Sequence, residues 1–218
     1  MSPGKSQFLH QLLKEQEFHM AVPIRRVIYC SKEEEESLSD LKSYFESKGT
    51  DARFMKKIPT DLLSMIIPSA TVIVFDDFLP AFSSDRALTN LLFSLATIHV
   101  RHRSIFLFFA SQSTEILKKS HKLNLCVSQS THYVCFRTLT EGKTLKRFLS
   151  NFSLNLKDDI TLSEVYDKYI MPRQYSYLIL SVGPGCPRNS AYSNILVNEP
   201  GFMLTFDKSD DENESFEG

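Results

Sequence analysis

The sequence has few of the features that mark fibrous, secreted or membrane-spanning proteins. Its 218 residues include only seven glycines and nine prolines, which excludes collagen-like and low-complexity chains. No apolar run reaches the roughly 18 residues that a membrane-spanning helix needs. Residues 1–12 lack a basic segment followed by an apolar one. We therefore expect a soluble intracellular protein that is not secreted and has no membrane partner.

Cysteine is also scarce, and its spacing excludes one common type of metal site. The four cysteines are Cys30, Cys126, Cys135 and Cys186, and none of them forms a CxxC pair. A zinc ribbon is therefore excluded. Three of the four lie in apolar runs, which predicts buried free thiols in a reducing compartment.

Charge is balanced overall but unevenly distributed. The net charge is −1, yet the tail over residues 207–218 holds six acidic residues and a single lysine. We expect this acidic tail to be disordered. Residues 1–206 then carry a net charge of +4, which permits contact with nucleic acid but does not argue for it strongly. They contain no repeat and no Gly/Ser-rich linker, so we interpret them as one domain.

Short apolar runs alternate with helical patterns along the chain. The apolar runs predict strands at 27–30, 70–75, 104–109, 133–136 and 177–182, with late edge strands near 195–197 and 202–206. The helical patterns predict helices at 32–48, 61–67, 84–96, 113–120, 140–151 and 161–170. This alternation predicts an α/β fold whose mainly parallel sheet is covered by helices on both faces.

Three segments place polar residues where such folds bind ligands, at the carboxyl ends of strands. Gly4–Ser6 reads Gly-Lys-Ser before an amphipathic helix, which fits either the second half of a phosphate-binding loop or a surface turn. Asp76 and Asp77 follow five apolar residues, and they either serve Mg²⁺ and water or cap the strand end. Gln112 follows the next apolar strand and either touches a γ-phosphate or bonds to a loop.

The order of these three segments matches the additional-strand ATPases, and the resemblance extends further. From Val27 to about Phe206 the chain resembles the genome-packaging ATPases of large DNA viruses and of Polinton (Maverick) transposons. These ATPases belong to the FtsK/HerA superfamily of P-loop NTPases. The segments that carry the resemblance are Gly4–Leu9, Arg26–Cys30, Val72–Phe78, His102–Gln112, Thr131–Arg137, Tyr175–Leu180 and Asn194–Ile195.

The resemblance implies a RecA/FtsK-HerA-like P-loop domain over residues 1–206 that binds ATP and Mg²⁺. Gly4, Lys5 and Ser6 would form the phosphate loop, with Lys5 on the β- and γ-phosphates. Ser6 and Asp76 would be the ligands of Mg²⁺.

The resemblance also implies the catalytic residues. Asp77 would polarise the attacking water, and Gln112 would sense the γ-phosphate. Arg103 and Arg137 are weaker candidates for a charge that reaches the nucleotide of a neighbouring subunit, and a surface or structural role is favoured for each.

The implied activity is ATP hydrolysis that drives the movement of double-stranded DNA, carried out by a homo-oligomeric ring. The implied locations are the nucleus, the cytoplasm or the virion. The acidic tail is expected either to contact a capsid protein or only to keep the chain soluble.

One departure from the family pattern leaves a second interpretation open. The first strand and the first glycine of the loop are missing, which removes N–H donors from the phosphate cradle and predicts impaired hydrolysis. The sequence then represents either an incomplete motor or a non-catalytic copy that acts as a binding or structural protein. A nucleotide-binding switch that does not act on DNA is a third, weaker interpretation.

Overall fold

The structure, a computed structural model, describes residues 5–15, 22–32, 38–111, 120–130, 132–136, 161–172, 176–181, 190–195 and 204–205. Residues 5–129 form one compact unit, and the described residues from 130 onward belong to a second. The acidic tail lies outside the described residues. The expectations of one domain over 1–206 and of a missing first strand stay predictions.

Four parallel strands form the sheet of the first unit. They are β1 (Arg26–Ser31), β2 (Asp51–Met55), β3 (Thr71–Asp76) and β4 (Phe106–Ala110), in the spatial order β2-β1-β3-β4. All six residues of β3 are buried, as expected for an apolar strand with a neighbour on each side. The outer strands β2 and β4 contain no fully buried residue. The strands predicted at 27–30, 70–75 and 104–109 are confirmed as β1, β3 and β4.

The helices of the first unit are short, and the break between two of them has a clear capping signal. They are α1 (Lys5–Lys14), α2 (Ser39–Ser47), α3 (Leu79–Ser84), α4 (Arg86–Ser94), α5 (Val100–Arg103) and α6 (His121–Ser128). Asp85 separates α3 from α4 because its backbone is extended and its carboxylate accepts the N–H groups of Ala87 and Leu88. A 3₁₀ turn covers Leu62–Met65, and a π-helical turn over Leu95–His99 joins α4 to α5.

Helices cover the sheet on both faces, as the sequence predicts. Alternate residues of each strand point to opposite faces. On one face, β1 and β3 pack against a cluster that includes Phe82, Leu92 and Leu95 of α3, α4 and the π-helical turn. On the other face they pack against Leu9 and Leu13 of α1 together with residues of α2. Full burial of each large apolar side chain contributes about 1.5–3 kcal/mol, so these two layers fix α1 and α2 on one side of the sheet.

Some elements differ from the sequence-based expectation. Strand β2 is not predicted, because its segment Asp-Ala-Arg-Phe-Met has two charged residues and little apolar periodicity. Of the helix predicted at 32–48, α2 covers 39–47, whereas 33–37 lie outside the described residues. The helix predicted at 140–151 and most of that at 113–120 also lie outside them. None of the described helices is long and apolar enough to cross a membrane.

The second unit contains an antiparallel sheet. Its strands are β5 (His132–Phe136), β6 (Ser176–Ser181), β7 (Ser190–Ile195) and β8 (Leu204–Thr205), paired in sequence order. Helix α7 (Leu162–Val165) continues into a π-helical turn at Tyr166–Ile170 and packs on β6 through a small apolar cluster. Thr161 and Glu164 form a capping box at the start of α7, which satisfies its first free N–H groups.

The expectation of a mainly parallel sheet is therefore wrong for this unit and holds only for the first. The connections β6–β7 and β7–β8 are eight residues long each. A parallel crossover needs a dozen or more residues, so connections of this length join antiparallel neighbours instead.

Three of the cysteines are confirmed as buried free thiols, and their reactivity follows from that burial. Cys186 lies outside the described residues. Burial raises the pKa of Cys30 and Cys135 to about 12 and that of Cys126 to about 11. Alkylating reagents react with the thiolate form of cysteine. The three thiols are therefore unreactive towards such reagents in the folded chain near neutral pH.

We expect iodoacetamide at pH 8 to leave Cys30, Cys126 and Cys135 unmodified until the chain unfolds. Peptide mapping by mass spectrometry, with and without urea, measures each site separately. Equal alkylation of these three peptides in both conditions would contradict their burial.

An ion-pair network links the amino ends of β1 and β2. Two nitrogens of Arg26 lie 2.6 and 2.7 Å from one carboxylate oxygen of Asp51, and Arg53 reaches the other oxygen at 3.1 Å. Arg26 also donates to the carbonyl of Met65 at 2.6 Å. Hydrogen bonds from Arg53 and Arg26 hold the pKa of Asp51 below its ordinary value.

Because the pKa of Asp51 is lower in the folded chain, its stabilising contribution is present above the pKa of the unfolded state. That contribution is lost as the pH falls through the folded pKa. We expect Asp51→Asn to be less stable than wild type at pH 7 and to approach wild-type stability at pH 3. Urea unfolding at both pH values tests this, and a stability difference independent of pH would contradict it.

Candidate functional site

The carboxyl ends of β1, β3 and β4 meet at one edge of the parallel sheet. The register places Ser31 of β1 beside Asp76 of β3, and Asp76 beside Ala110 of β4. Asp77 continues this ladder, since its N–H donates to the carbonyl of Ala110 at 2.9 Å. Two adjacent carboxylates therefore lie where open α/β sheets bind ligands.

Helix α1 brings two further polar residues to this edge. Its apolar positions, Leu9 and Leu13, are buried against the face of the sheet that contains Val72 and Val74. This packing fixes the direction of the helix, so its first two residues, Lys5 and Ser6, reach the end of β3. The Lys5 ammonium lies 2.9 Å from Asp76 Oδ1 and 2.7 Å from Asp77 Oδ1.

Asp76 is the buried centre of the site. Its side chain is only 3% exposed, and that of Lys5 is 9% exposed. Its Oδ2 atom accepts hydrogen bonds from the Ser6 hydroxyl at 3.3 Å and from the Tyr29 hydroxyl at 3.1 Å. Its Oδ1 atom is near Lys5 but has no hydrogen bond of suitable geometry among the described residues. Oδ1 therefore depends on the Lys5 ion pair for charge compensation, and a cation that binds this oxygen would take over that role.

Asp77 differs from Asp76 in exposure and in backbone conformation. Its side chain is 35% exposed, and it hydrogen-bonds to the Lys5 ammonium. Its φ of 57° lies in the left-handed region, which few residues other than glycine and asparagine or aspartate adopt. Such conformations are retained when surrounding contacts enforce them, and they concentrate at functional sites.

The charges of the cluster suit a hard cation. Two carboxylates face one ammonium, so Lys5, Asp76 and Asp77 together carry a formal charge of −1. Within the described ranges, no three His, Cys, Asp or Glu side chains form a metal cluster. Mg²⁺ needs fewer protein ligands than that, since it commonly uses one or two carboxylates together with substrate phosphates and water. The Asp76 carboxylate and the adjacent Ser6 hydroxyl fit this requirement.

The structure brings together four of the residues that the sequence singles out: Lys5, Ser6, Asp76 and Asp77. Gly4, Gln112 and Arg137 lie outside the described residues. Arg103 donates to the carbonyl of Leu63 at 3.2 Å, which is a structural contact near the opposite ends of the strands. The chemical roles assigned to all of these residues stay predictions.

Two residues of the site were not found from the sequence. Tyr29 lies in β1 and contacts Asp76, while His10 lies in α1 and contacts Tyr29. The signal for Tyr29 is a hydroxyl-bearing ring in a strand whose other central residues, Val27, Ile28 and Cys30, are apolar and fully buried. His10 is four residues after Ser6, so both occupy the same side of α1.

No protein-family model matches this chain, and no curated protein shows significant sequence similarity to it. Its site must therefore be interpreted from its own residues and geometry.

We expect Lys5→Met to destabilise the first unit by about 3–5 kcal/mol, because it leaves the buried Asp76 carboxylate without its ion-pair partner. Lys14→Met is the matched control, since it removes the same charge from the other end of α1. This control substitution should lower the free energy of unfolding by about 1 kcal/mol or less. Urea denaturation at pH 7 measures both, and similar losses in the two variants would contradict the importance of the Lys5 ion pair.

Proposed function

We propose that the first unit is a P-loop NTPase-like unit that binds ATP with Mg²⁺ and hydrolyses it. One observation carries this proposal. Lys5 and Ser6, in the first turn of a helix, contact two carboxylates at the end of a buried parallel strand, those of Asp76 and Asp77. A lysine, a hydroxyl and a carboxylate in this arrangement are the protein groups that a Mg²⁺–triphosphate site requires.

Lys5 has the central role in phosphate binding. In the structure its ammonium is neutralised by two carboxylates at 2.7 and 2.9 Å. Phosphate oxygens would replace these partners with similar charge-assisted hydrogen bonds, so a triphosphate can compete for Lys5 without leaving it unpaired. The start of α1 adds N–H groups and the positive end of a helix dipole.

Ser6 and Asp76 would hold Mg²⁺, through the Ser6 hydroxyl and the Asp76 carboxylate. When bound, Mg²⁺ supplies positive charge that offsets the charge developing on the phosphates. Asp76 can serve in this way because it lies at the rigid end of β3, buried and fixed by hydrogen bonds to one of its two oxygens.

Asp77 would orient the water that attacks the γ-phosphate in line and would accept its proton. It is the more exposed of the two carboxylates, so water can reach it. Release of Lys5 to the phosphates would also free the Asp77 oxygen that Lys5 holds. Gln112, predicted to sense the γ-phosphate, follows β4 and lies outside the described residues.

The coupling of hydrolysis to double-stranded DNA movement is proposed on the resemblance to viral and Polinton packaging ATPases. The homo-oligomeric ring and a capsid-protein partner have the same basis. The net charge of +4 over residues 1–206 is compatible with a DNA partner.

A non-catalytic binding or structural protein is the second candidate, and one observation favours it. Lys5 is buried and already bonded to two carboxylates, which is also how a purely structural ion pair holds a helix on a sheet. In that case the cluster would only fix α1, and the chain would not bind nucleotide.

Titration calorimetry with Mg²⁺-ATP distinguishes the two candidates. We expect binding by the 218-residue chain, about 10–100-fold weaker binding by Lys5→Ala, and no change for Lys14→Ala. Lys5→Arg keeps the positive charge beside Asp76 and serves as a second variant if Lys5→Ala unfolds. We expect it also to bind weakly, because a planar guanidinium does not present the compact point charge of an ammonium to the phosphates.

Circular dichroism of each variant checks that it is folded. No binding by the wild-type chain, or equal binding by folded Lys5 and Lys14 variants, would contradict the nucleotide site. Where binding occurs, an ATPase rate stimulated by double-stranded DNA separates a motor from a nucleotide-binding switch.

A further inference from the structure

Tyr29 contacts both the Asp76 carboxylate and the His10 side chain of α1. It lies in the middle of β1 and is fully buried. Its ring stacks on Phe54 of β2 at a centroid distance of 5.8 Å and meets the His10 ring edge-on, also at 5.8 Å. These contacts fix the ring, so the position of the hydroxyl is fixed as well.

The hydroxyl of Tyr29 has a single proton and lies within hydrogen-bond distance of both Asp76 and His10. It donates to Asp76 Oδ2 at 3.1 Å, and it lies 3.3 Å from His10 Nε2. Because its proton is used on the carboxylate, the hydroxyl can only accept at His10. This assignment requires a proton on Nε2 of His10, which would donate to the Tyr29 oxygen. The three side chains would then form a series of hydrogen bonds that runs from His10 through Tyr29 to Asp76.

Because of these hydrogen bonds, the two oxygens of Asp76 have different partners. Oδ2 accepts hydrogen bonds from the Tyr29 and Ser6 hydroxyls. Oδ1 lies beside the Lys5 ammonium without a hydrogen bond of suitable geometry. In the proposed function the Ser6 hydroxyl serves Mg²⁺, so Tyr29 is the donor that remains on the carboxylate. A donor of this kind sets the orientation of a metal-binding carboxylate, and its loss typically lowers metal affinity about 10–100-fold.

We propose that Tyr29, itself oriented by His10, is a positioning residue that holds the Asp76 carboxylate for Mg²⁺ binding. This inference rests on the proposed function for its Mg²⁺ step, but the hydrogen-bond chain itself does not depend on nucleotide. Ser6 and His10 are four residues apart on α1, so the helix reaches Asp76 both directly and through Tyr29.

The first arm of the test needs neither nucleotide nor a variant. Long-range ¹H–¹⁵N NMR of the wild-type chain determines which ring nitrogen of His10 is protonated. We expect a proton on Nε2. A His10 ring with a bare Nε2 would overturn the proposal, because Tyr29 would then donate to His10 rather than to Asp76.

The second arm compares Tyr29→Phe with Tyr44→Phe by calorimetry. The Tyr44 hydroxyl, on α2, donates to the carbonyl of Lys14 at the far end of α1, so its removal is a matched loss of one tyrosine hydroxyl that contacts the same helix. We expect Tyr29→Phe to weaken ATP binding in Mg²⁺ about tenfold or more, to leave binding in EDTA nearly unchanged, and Tyr44→Phe to alter neither.

A purely structural role of Tyr29 would weaken binding equally with Mg²⁺ and with EDTA, and that result would overturn the proposal. Should the wild-type chain bind no ATP, the proposed function fails, and the first arm still decides whether Tyr29 holds Asp76.

Discussion

The buried carboxylate of Asp76 is the constraint on which the first unit depends. It ends the central strand β3 with a side chain only 3% exposed, so its charge needs partners within the protein. Lys5, Ser6 and Tyr29 supply them, and two of the three come from the first turn of α1. The apolar packing of Leu9 and Leu13 places α1 on the sheet, and the Asp76 ion pair holds Lys5 against the end of β3.

The cluster contains more negative charge than a structural ion pair needs. A structural ion pair needs one carboxylate for one ammonium, yet here Asp77 adds a second, more exposed carboxylate in a left-handed backbone conformation. Replacing buried ion pairs by apolar residues is often neutral or stabilising, so an excess of negative charge at this position contributes little to folding. In the proposed function, this excess charge would hold the Mg²⁺ ion.

Much of the first unit could be predicted from the sequence because its central strands are long apolar runs that end in polar residues. Those runs located β1, β3 and β4, and the strand ends located Asp76 and Asp77. Strand β2 was missed because an outer strand with charged residues has no such signal. The antiparallel sheet was missed because its pairing depends on connection length rather than on apolar periodicity. Tyr29 was missed because its role depends on the register of β1 against β3, which places its hydroxyl at Asp76.

The most direct test of the account locates a divalent cation in the complex with nucleotide. Mn²⁺ accepts the same oxygen ligands as Mg²⁺ and broadens the NMR signals of nearby nuclei. With Mn²⁺-ATP, compared with Mn²⁺ alone, the account predicts that broadening is strongest at the amides of Ser6, Asp76 and Asp77. Broadening centred elsewhere, or none that depends on ATP, would contradict a Mg²⁺–triphosphate site at the meeting of α1 and β3.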